Sequence, residues 1–297
     1  MIDVKNSVDG LAFLSTLLIG GENGDISRIR PHNLSSDFHP DTLKIDDLRQ
    51  LWALANSHHV ILRSFPLLQQ MMSGEGNTEA GDWAAQAIAN EQARIHRALT
   101  FLAPICQGLE QCGNVVVIKS LDHWPDLGSD LDLYTAAEPD EVVHTMKRHF
   151  EARVDKRSWG DRLAKKWSFI VPGLPELVEV HVRRLGQTGE QIRVAESLVR
   201  RARNIELGGH EFCVPAPEER LVISTLQRMY RHFYIRLCDI VDNASLVGAG
   251  IIDYAYLRSL AASAGLWDGV ATYLVIISDY IESYGGEGIP LPSLVTS

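Results

Sequence analysis

Apolar residues change their spacing twice along this chain. Residues 39–72, HPDTLKIDDLRQLWALANSHHVILRSFPLLQQMM, set Leu48, Leu51, Trp52, Ala55, Val60 and Leu62 at near-helical intervals, which predicts helix with Asp41 or Thr42 as its cap after Pro40. SGEGNTEAGD, residues 73–82, reads as a loop. Asp82 to Cys112 is again periodic and predicts one or two helices, bent at Pro104 if anywhere. At Gly113 and Asn114 the period drops to that of strands. VVVIKS is β-branched and bounded by turn residues, DLDLYT alternates, and PDEVVHTMKRHF has the proline and acids of a helix start. WSFIVPG (167–173) and LVEVHVRR (177–184) are two more strands, joined by a connector short enough for a hairpin. LGGHEFCVP predicts a turn with a short strand. From Pro217 the helical period returns in three runs, ending near Gly285, and IPLPSLVTS reads as a tail.

This order predicts an α+β fold, a small mixed β-sheet flanked by N-terminal and C-terminal helical regions. The expected divisions are a helical region over 1–112, an α/β core over 113–210 and a helical region over 211–297. At 297 residues and 45% hydrophobic content the chain can bury a substantial core. It contains no apolar run of membrane-spanning length, so no membrane partner is expected. The first residues lack a basic n-region and a small-residue cleavage site, so a cytoplasmic location is expected. Cys106, Cys112, Cys213 and Cys238 form no CxxC and read as reduced core residues.

Strand alternation also generates the candidate chemistry. Asp130 and Asp132 are two apart and share a face, while Leu131 and Leu133 point into the core. Two carboxylates about 5 Å apart repel by about 3 kcal/mol at an effective dielectric near 20. A cation relieves that repulsion, and Mg²⁺ takes one or two protein carboxylates while leaving positions for water and phosphates. In ELVEVHV, Val178, Val180 and Val182 share one face, and Glu179 and His181 the other. If this strand lies beside the Asp strand, Glu179 completes a cluster able to hold two Mg²⁺ ions, or Mn²⁺, about 3.5–4 Å apart. An isolated D-x-D is more often a solvated strand end. The Gly-Ser turn before it and the acid between valines after it favour a metal site here.

The stretch IKSLDHWPDLGSDLDL resembles the nucleotidyltransferase superfamily that includes DNA polymerase β. Its signature is an apolar residue, Gly, then Gly or Ser, a spacer of roughly ten residues, and Asp-apolar-Asp-apolar. IKS stands in the Gly-Ser position, nine residues intervene and DLDL follows. The resemblance is closest to an uncharacterised bacterial group in which a Lys precedes the glycine and a Tyr- or Trp-Pro-Asp turn precedes the acids. It covers residues 113–184 and the helical segment beginning at FCVPAPEER, while the first hundred residues share none of it. It implies a nucleotidyltransferase core and Mg²⁺-dependent transfer of a nucleoside monophosphate from a nucleoside triphosphate such as ATP, with release of pyrophosphate. Asp130, Asp132 and Glu179 are then the catalytic and metal-binding acids, Glu179 as ligand or as base.

The sequence departs from the family at Lys119, where a glycine is expected, and only Ser120 keeps the small polar residue. Lys119 and Ser120 are candidate phosphate contacts, as are the backbone N–H groups of Gly128 and Ser129. Lys165 and Lys166 are further phosphate candidates. His123 and Trp124 lie in the loop where a base or acceptor is expected, with plugging of the sheet edge the other role open to Trp124. His181 is a substrate contact or a structural histidine. Tyr230 and Tyr234, an i, i+4 pair, read as core packing.

Net charge is −10, which argues against extended DNA binding. The charge is uneven. Between Lys147 and Arg203 there are fourteen basic and seven acidic residues, +7 against −17 elsewhere. Such a segment suits an anionic substrate or a single RNA end, or it is an ordinary solvated surface. The acceptor remains open among a small molecule, a protein side chain and an RNA end, and so does a lapsed nucleotide-binding or scaffold protein.

Overall fold

The computed structural model describes residues 4–20, 43–74, 78–186 and 192–296, so the expected caps at Asp41 and Thr42 lie outside the described residues. The chain divides into two compact units. The first, residues 1–94, 235–248 and 274–291, is helical over most of its described residues. It holds α1 (Val4–Ile19), α2 (Ile45–Ser57), α3 (Ile61–Gly74) and the start of α4 (Thr78–Glu110). In α2 the near-helical spacing works as expected, burying Leu48, Leu51 and Ala55 along one side, and the Lys44 N–H donates to Asp47 Oδ2 at 2.9 Å at its first turn. His59 adopts a left-handed φ of 53° and so separates α2 from α3.

The loop expected over residues 73–82 is largely helix instead, since α3 runs through Gly74 and α4 begins at Thr78. Ala80 and Ala84 enter the core beside Phe13, Phe65, Leu68 and Met72, and that burial outweighs the ~1 kcal/mol that a helical Gly81 costs. α4 is one helix of 33 residues and passes through Pro104 without interruption. The Trp52 and Phe65 rings meet edge to face at 4.9 Å, and Trp83 lies 6.2 Å from Trp52.

The second unit, residues 95–234, 249–273 and 292–297, carries the sheet. Its strands are β1 (Val115–Val117), β2 (Asp130–Thr135), β3 (Arg153–Val154), β4 (Lys166–Ile170) and β5 (Leu177–Val182), in the order β1-β2-β5-β4-β3. β2 and β5 are parallel and the other pairs antiparallel. α5 (Pro139–Phe150) and the short α6 (Trp159–Leu163) lie in the crossover between β2 and β5. Leu131, Leu133, Val178, Val180 and Val182 are fully buried, as their alternation requires. The fold is therefore α+β, a small mixed sheet with helices before and after it.

Beyond the sheet come α7 (Ile192–Arg201) and a hairpin of β6 (Arg203–Leu207) and β7 (His210–Val214). Gly208 and Gly209 turn it with φ of 57° and 79°, so the expected short strand is a pair. α8 (Pro217–Thr225) continues as a π-helical turn over Leu226–His232 that stops at Phe233, φ 57°. Then follow α9 (Leu237–Gly248), which belongs to the first unit, α10 (Tyr254–Ser263), α11 (Trp267–Ser283) and α12 (Ser293–Thr296), a single turn within the expected tail. Tyr230 and Tyr234 are 46% and 47% exposed and are not core residues, because the helical turn stops at Phe233 and leaves Tyr234 beyond it.

A buried network fastens α8 within this unit. Glu219 Oε1 accepts from Ser197 Oγ at 2.5 Å and Tyr256 OH at 2.9 Å. Glu218 takes Arg201 at 2.6 Å and the Asp253 N–H at 2.8 Å. No helix among the described residues is long and apolar enough to cross a membrane. All four cysteines are free. Phe65→Ala is expected to cost about 3–5 kcal/mol, because it empties the aromatic centre of the first unit; urea unfolding of the full chain measures it.

Candidate functional site

The site grows from the end of β1. The Ile118 N–H donates to Asp132 O at 2.9 Å, which keeps the chain in register with β2 one residue past the strand. The Ser120 N–H then bonds Ile118 O at 2.6 Å, closing a three-residue turn around Lys119, whose φ and ψ are 62° and −55°. These are the angles of a γ-turn, a conformation that favours glycine and costs other residues on the order of 1–3 kcal/mol. Lys119 thus adopts, at a cost, a backbone shape that glycine takes freely.

Ser120 locks this turn. Its hydroxyl donates to Asp130 O at 3.0 Å and accepts from the Asp132 N–H at 2.7 Å, so a buried side chain stands in for a missing ladder partner of β2. Its hydrogen-bonding capacity is directed to the strand. Ser120–His123 form one turn of 3-10 helix. His123 is buried within it and Trp124 is 39% exposed. Arg220 of α8 anchors the turn, with Nε 2.9 Å from Asp122 Oδ1. Ser129 Oγ donates to Asp130 Oδ2 at 3.3 Å. A Cβ on Gly128 would meet Asp130 O at an ordinary 3.8 Å, so no close backbone approach requires that glycine.

Register completes the face. Asp132 lies opposite Glu179 and Tyr134 opposite His181 across β2 and β5. Across β5 and β4, Glu179 lies opposite Ser168 and His181 opposite Lys166. Asp130, Asp132, Glu179, His181, Lys166 and Ser168 therefore share one face. Lys119 Nζ sits 2.5 Å from Asp132 Oδ1, and His181 Nε2 lies 3.3 Å from the same oxygen. Lys166 Nζ donates to Glu179 Oε1 at 2.7 Å and lies 3.2 Å from Asp161 Oδ1 of α6. Ser168 Oγ donates to Glu179 Oε1 at 3.4 Å.

Electrostatics separate the acids. Burial raises the Asp130 carboxyl above its usual range, and the Glu179 and Asp132 charges add to that. Burial alone would also raise Asp132, but the Lys119 ammonium and the His181 contact outweigh it and hold Asp132 well below the carboxylate range. Burial lowers His181. Because ionised Asp132 only accepts, the neutral ring donates through Nε2 and orients that carboxylate. Burial would lower Lys166, but its bonds to Glu179 and the charge of Asp161 raise it against the opposing Arg231. Asp161, despite partial desolvation, is held at about 2 by Ser158 and Lys166.

Seven of the residues expected to form the site thus converge: Lys119, Ser120, Asp130, Asp132, Lys166, Glu179 and His181. Lys165 does not join them. It is exposed, with a φ of 49°, and its carbonyl accepts from the Val182 N–H at 3.1 Å, so the neighbouring lysines diverge. Asp161, Ser168 and Arg231 were not expected. The first had a readable signal, since Ser158-x-x-Asp161 is a capping box, with the Ser158 N–H donating to Asp161 Oδ2 at 2.9 Å. Ser168 alternates onto the strand face two residues from Lys166. Arg231 depends on the π-helical turn.

The donor set fits a divalent ion. Asp132, Glu179 and His181 each offer an atom within 4.8 Å of the others, and Asp130 stands on the same face two residues from Asp132, within reach of the Lys119 charge. Oxygen donors of this kind suit Mg²⁺ and Mn²⁺.

Comparison of the sequence with protein-family models finds no match, and comparison with curated proteins finds none. Among solved structures the chain is similar to an antigenic nucleotidyltransferase-like protein from Paracoccidioides brasiliensis, at 13% identity over 66% of this chain and 94% of that one, with a TM-score of 0.40.

Lys166→Met leaves Glu179 and Asp161 without their buried ammonium and is expected to cost about 3–5 kcal/mol in urea unfolding, part of it returned by adding Glu179→Gln. The Asp161 contacts contribute stability that is fully present above the unfolded carboxylate range near pH ~4. That contribution is lost as pH falls through the folded value of about 2. Asp161→Asn is therefore expected to flatten the acid limb of a plot of unfolding midpoint against pH.

Proposed function

We propose that this protein is a metal-dependent nucleotidyltransferase that moves a nucleoside monophosphate from a nucleoside triphosphate to an acceptor and releases pyrophosphate. The observation that carries the reading is the register of β2 and β5, which sets Asp132 beside Glu179 with Asp130 two residues away on the same face. Three carboxylates so placed, with ammonium groups at their margin, suit a reaction that consists mainly of positioning and charge neutralisation.

Asp130, Asp132 and Glu179 would hold Mg²⁺, which when bound supplies charge neutralisation for the triphosphate. His181 orients Asp132 through its ring N–H. Lys166 and Ser168 fix Glu179 in one rotamer, and Lys119 and Lys166 place positive charge beside the phosphates. An acceptor oxygen bonds the α-phosphorus, the bond to the β-phosphate oxygen breaks, and the acceptor proton passes to a carboxylate of the cluster. A small molecule, a protein side chain or an RNA end would serve as acceptor.

A second reading has one specific observation in its favour. Two of the three acids already carry ammonium partners, Lys119 on Asp132 and Lys166 on Glu179. Their mutual repulsion is thus relieved without a metal, as it would be in a nucleotide-binding protein that has lost catalysis.

Incubation with each α-³²P-labelled triphosphate, Mg²⁺ and a cell extract separates the readings. Transfer of label to an acceptor is expected for the wild type and a loss of at least 10²-fold for Asp132→Asn or Asp130→Asn. Transfer that survives both substitutions sinks the enzymatic reading at this site. Nucleotide binding without any transfer favours the second.

A further inference from the structure

We propose that the carboxylate face is built for one divalent ion, and that the Lys119 ammonium takes the position of a second cation at Asp132. This rests on the reading of the face as a metal-dependent nucleotide site and replaces the pair of ions expected from the sequence. It makes Lys119 a fixed charge of the centre.

Contact geometry is the first support. Lys119 and Asp132 are only 13% and 12% exposed in their side chains, so the pair is not a solvated surface ion pair of negligible strength. Asp132 Oδ1 is engaged twice, by Lys119 Nζ and by His181 Nε2. Glu179 Oε1 is engaged twice as well, by Lys166 and Ser168. Each of these acids thus keeps one oxygen without a hydrogen bond among the described residues, Asp132 Oδ2 and Glu179 Oε2, with Asp130 two residues away on the same face. Two carboxylates are a usual protein share for one Mg²⁺ or Mn²⁺, which fills its other positions with water or phosphate. Two ions would have to share oxygens that the ammonium groups hold.

Charge points the same way. Four carboxylates, Asp130, Asp132, Glu179 and Asp161, gather here, and two ammonium groups are already set against them, Lys119 on Asp132 and Lys166 on Glu179 and Asp161.

Backbone conformation gives the third support. Lys119 pays for a left-handed γ-turn that glycine adopts freely. The turn is held from both sides by the Ile118 and Ser120 backbone bonds and by the Ser120 hydroxyl. A strained residue persists where its surroundings over-determine it, and such residues concentrate at functional sites. Here the strained backbone delivers an ammonium to the carboxylate.

The test is the stoichiometry of Mn²⁺ on the full-length chain, read from the EPR signal of free Mn²⁺ in an equilibrium titration. Wild type is expected to bind one ion per chain. Lys119→Gly, which suits the positive φ and so keeps the fold, is expected to bind two, while Lys119→Arg, which keeps the cation, stays at one. Two ions on the wild type, or one on Lys119→Gly, would overturn the assignment of Lys119 while leaving the metal site intact. No bound Mn²⁺ on either protein overturns both this inference and the reading on which it rests. Circular dichroism of each variant confirms that it is folded before its stoichiometry is counted.

Discussion

Everything at this face follows from one constraint: parallel pairing of β2 and β5 forces two carboxylates into neighbouring positions. Asp132 and Glu179 are cross-strand partners, and like charges so placed destabilise a sheet. The fold answers with cations drawn from outside the pair. One comes from the turn that leaves β1, the other from β4 on the far side of β5. His181 adds a neutral donor from the same strand as Glu179, two residues on. Each compensating group sits where the sheet itself delivers it, so the order β1-β2-β5-β4 also sets the order of charges across the face.

Elements beyond the sheet keep that order fixed. α6 contributes Asp161, which shares Lys166 with Glu179 and is anchored to Ser158 at the helix start. α8 contributes Arg220, which grips the turn after Lys119, and α8 is fastened through Glu218 and Glu219 to α7 and α10. A charge on β2 is thereby tied, through one turn and one helix, to a buried network far along the chain. Buried groups of this kind weigh heavily when fully partnered and are expensive when broken.

What the sequence made readable was whatever a short period encodes. Strand alternation assigned Asp130, Asp132, Glu179 and His181 to one side and the leucines and valines to the other, because a period of two leaves a residue no intermediate choice. Helix positions followed from spacing in the same way. Residues 73–82 misled because glycines and polar residues speak for a loop locally, while Ala80 and Ala84 gain from a core that no local window contains. Tyr230 and Tyr234 misled because a left-handed residue, Phe233, ends the helix between them. The partners of the acids were beyond reach for a related reason. That Lys166 turns inward and Lys165 outward depends on a single left-handed residue, and the strain at Lys119 becomes visible only once φ is known.

The turn at Lys119 also sets an order on sequence drift. Ser120 supplies two of the bonds that hold the unfavourable backbone of its neighbour, so the two positions cannot vary independently. Exchange of Ser120 while lysine remains would remove the support and keep the strain. Glycine at 119 would remove the strain, yet position 120 must still supply an acceptor for the buried Asp132 N–H, so the turn tolerates change at 119 more readily than at 120.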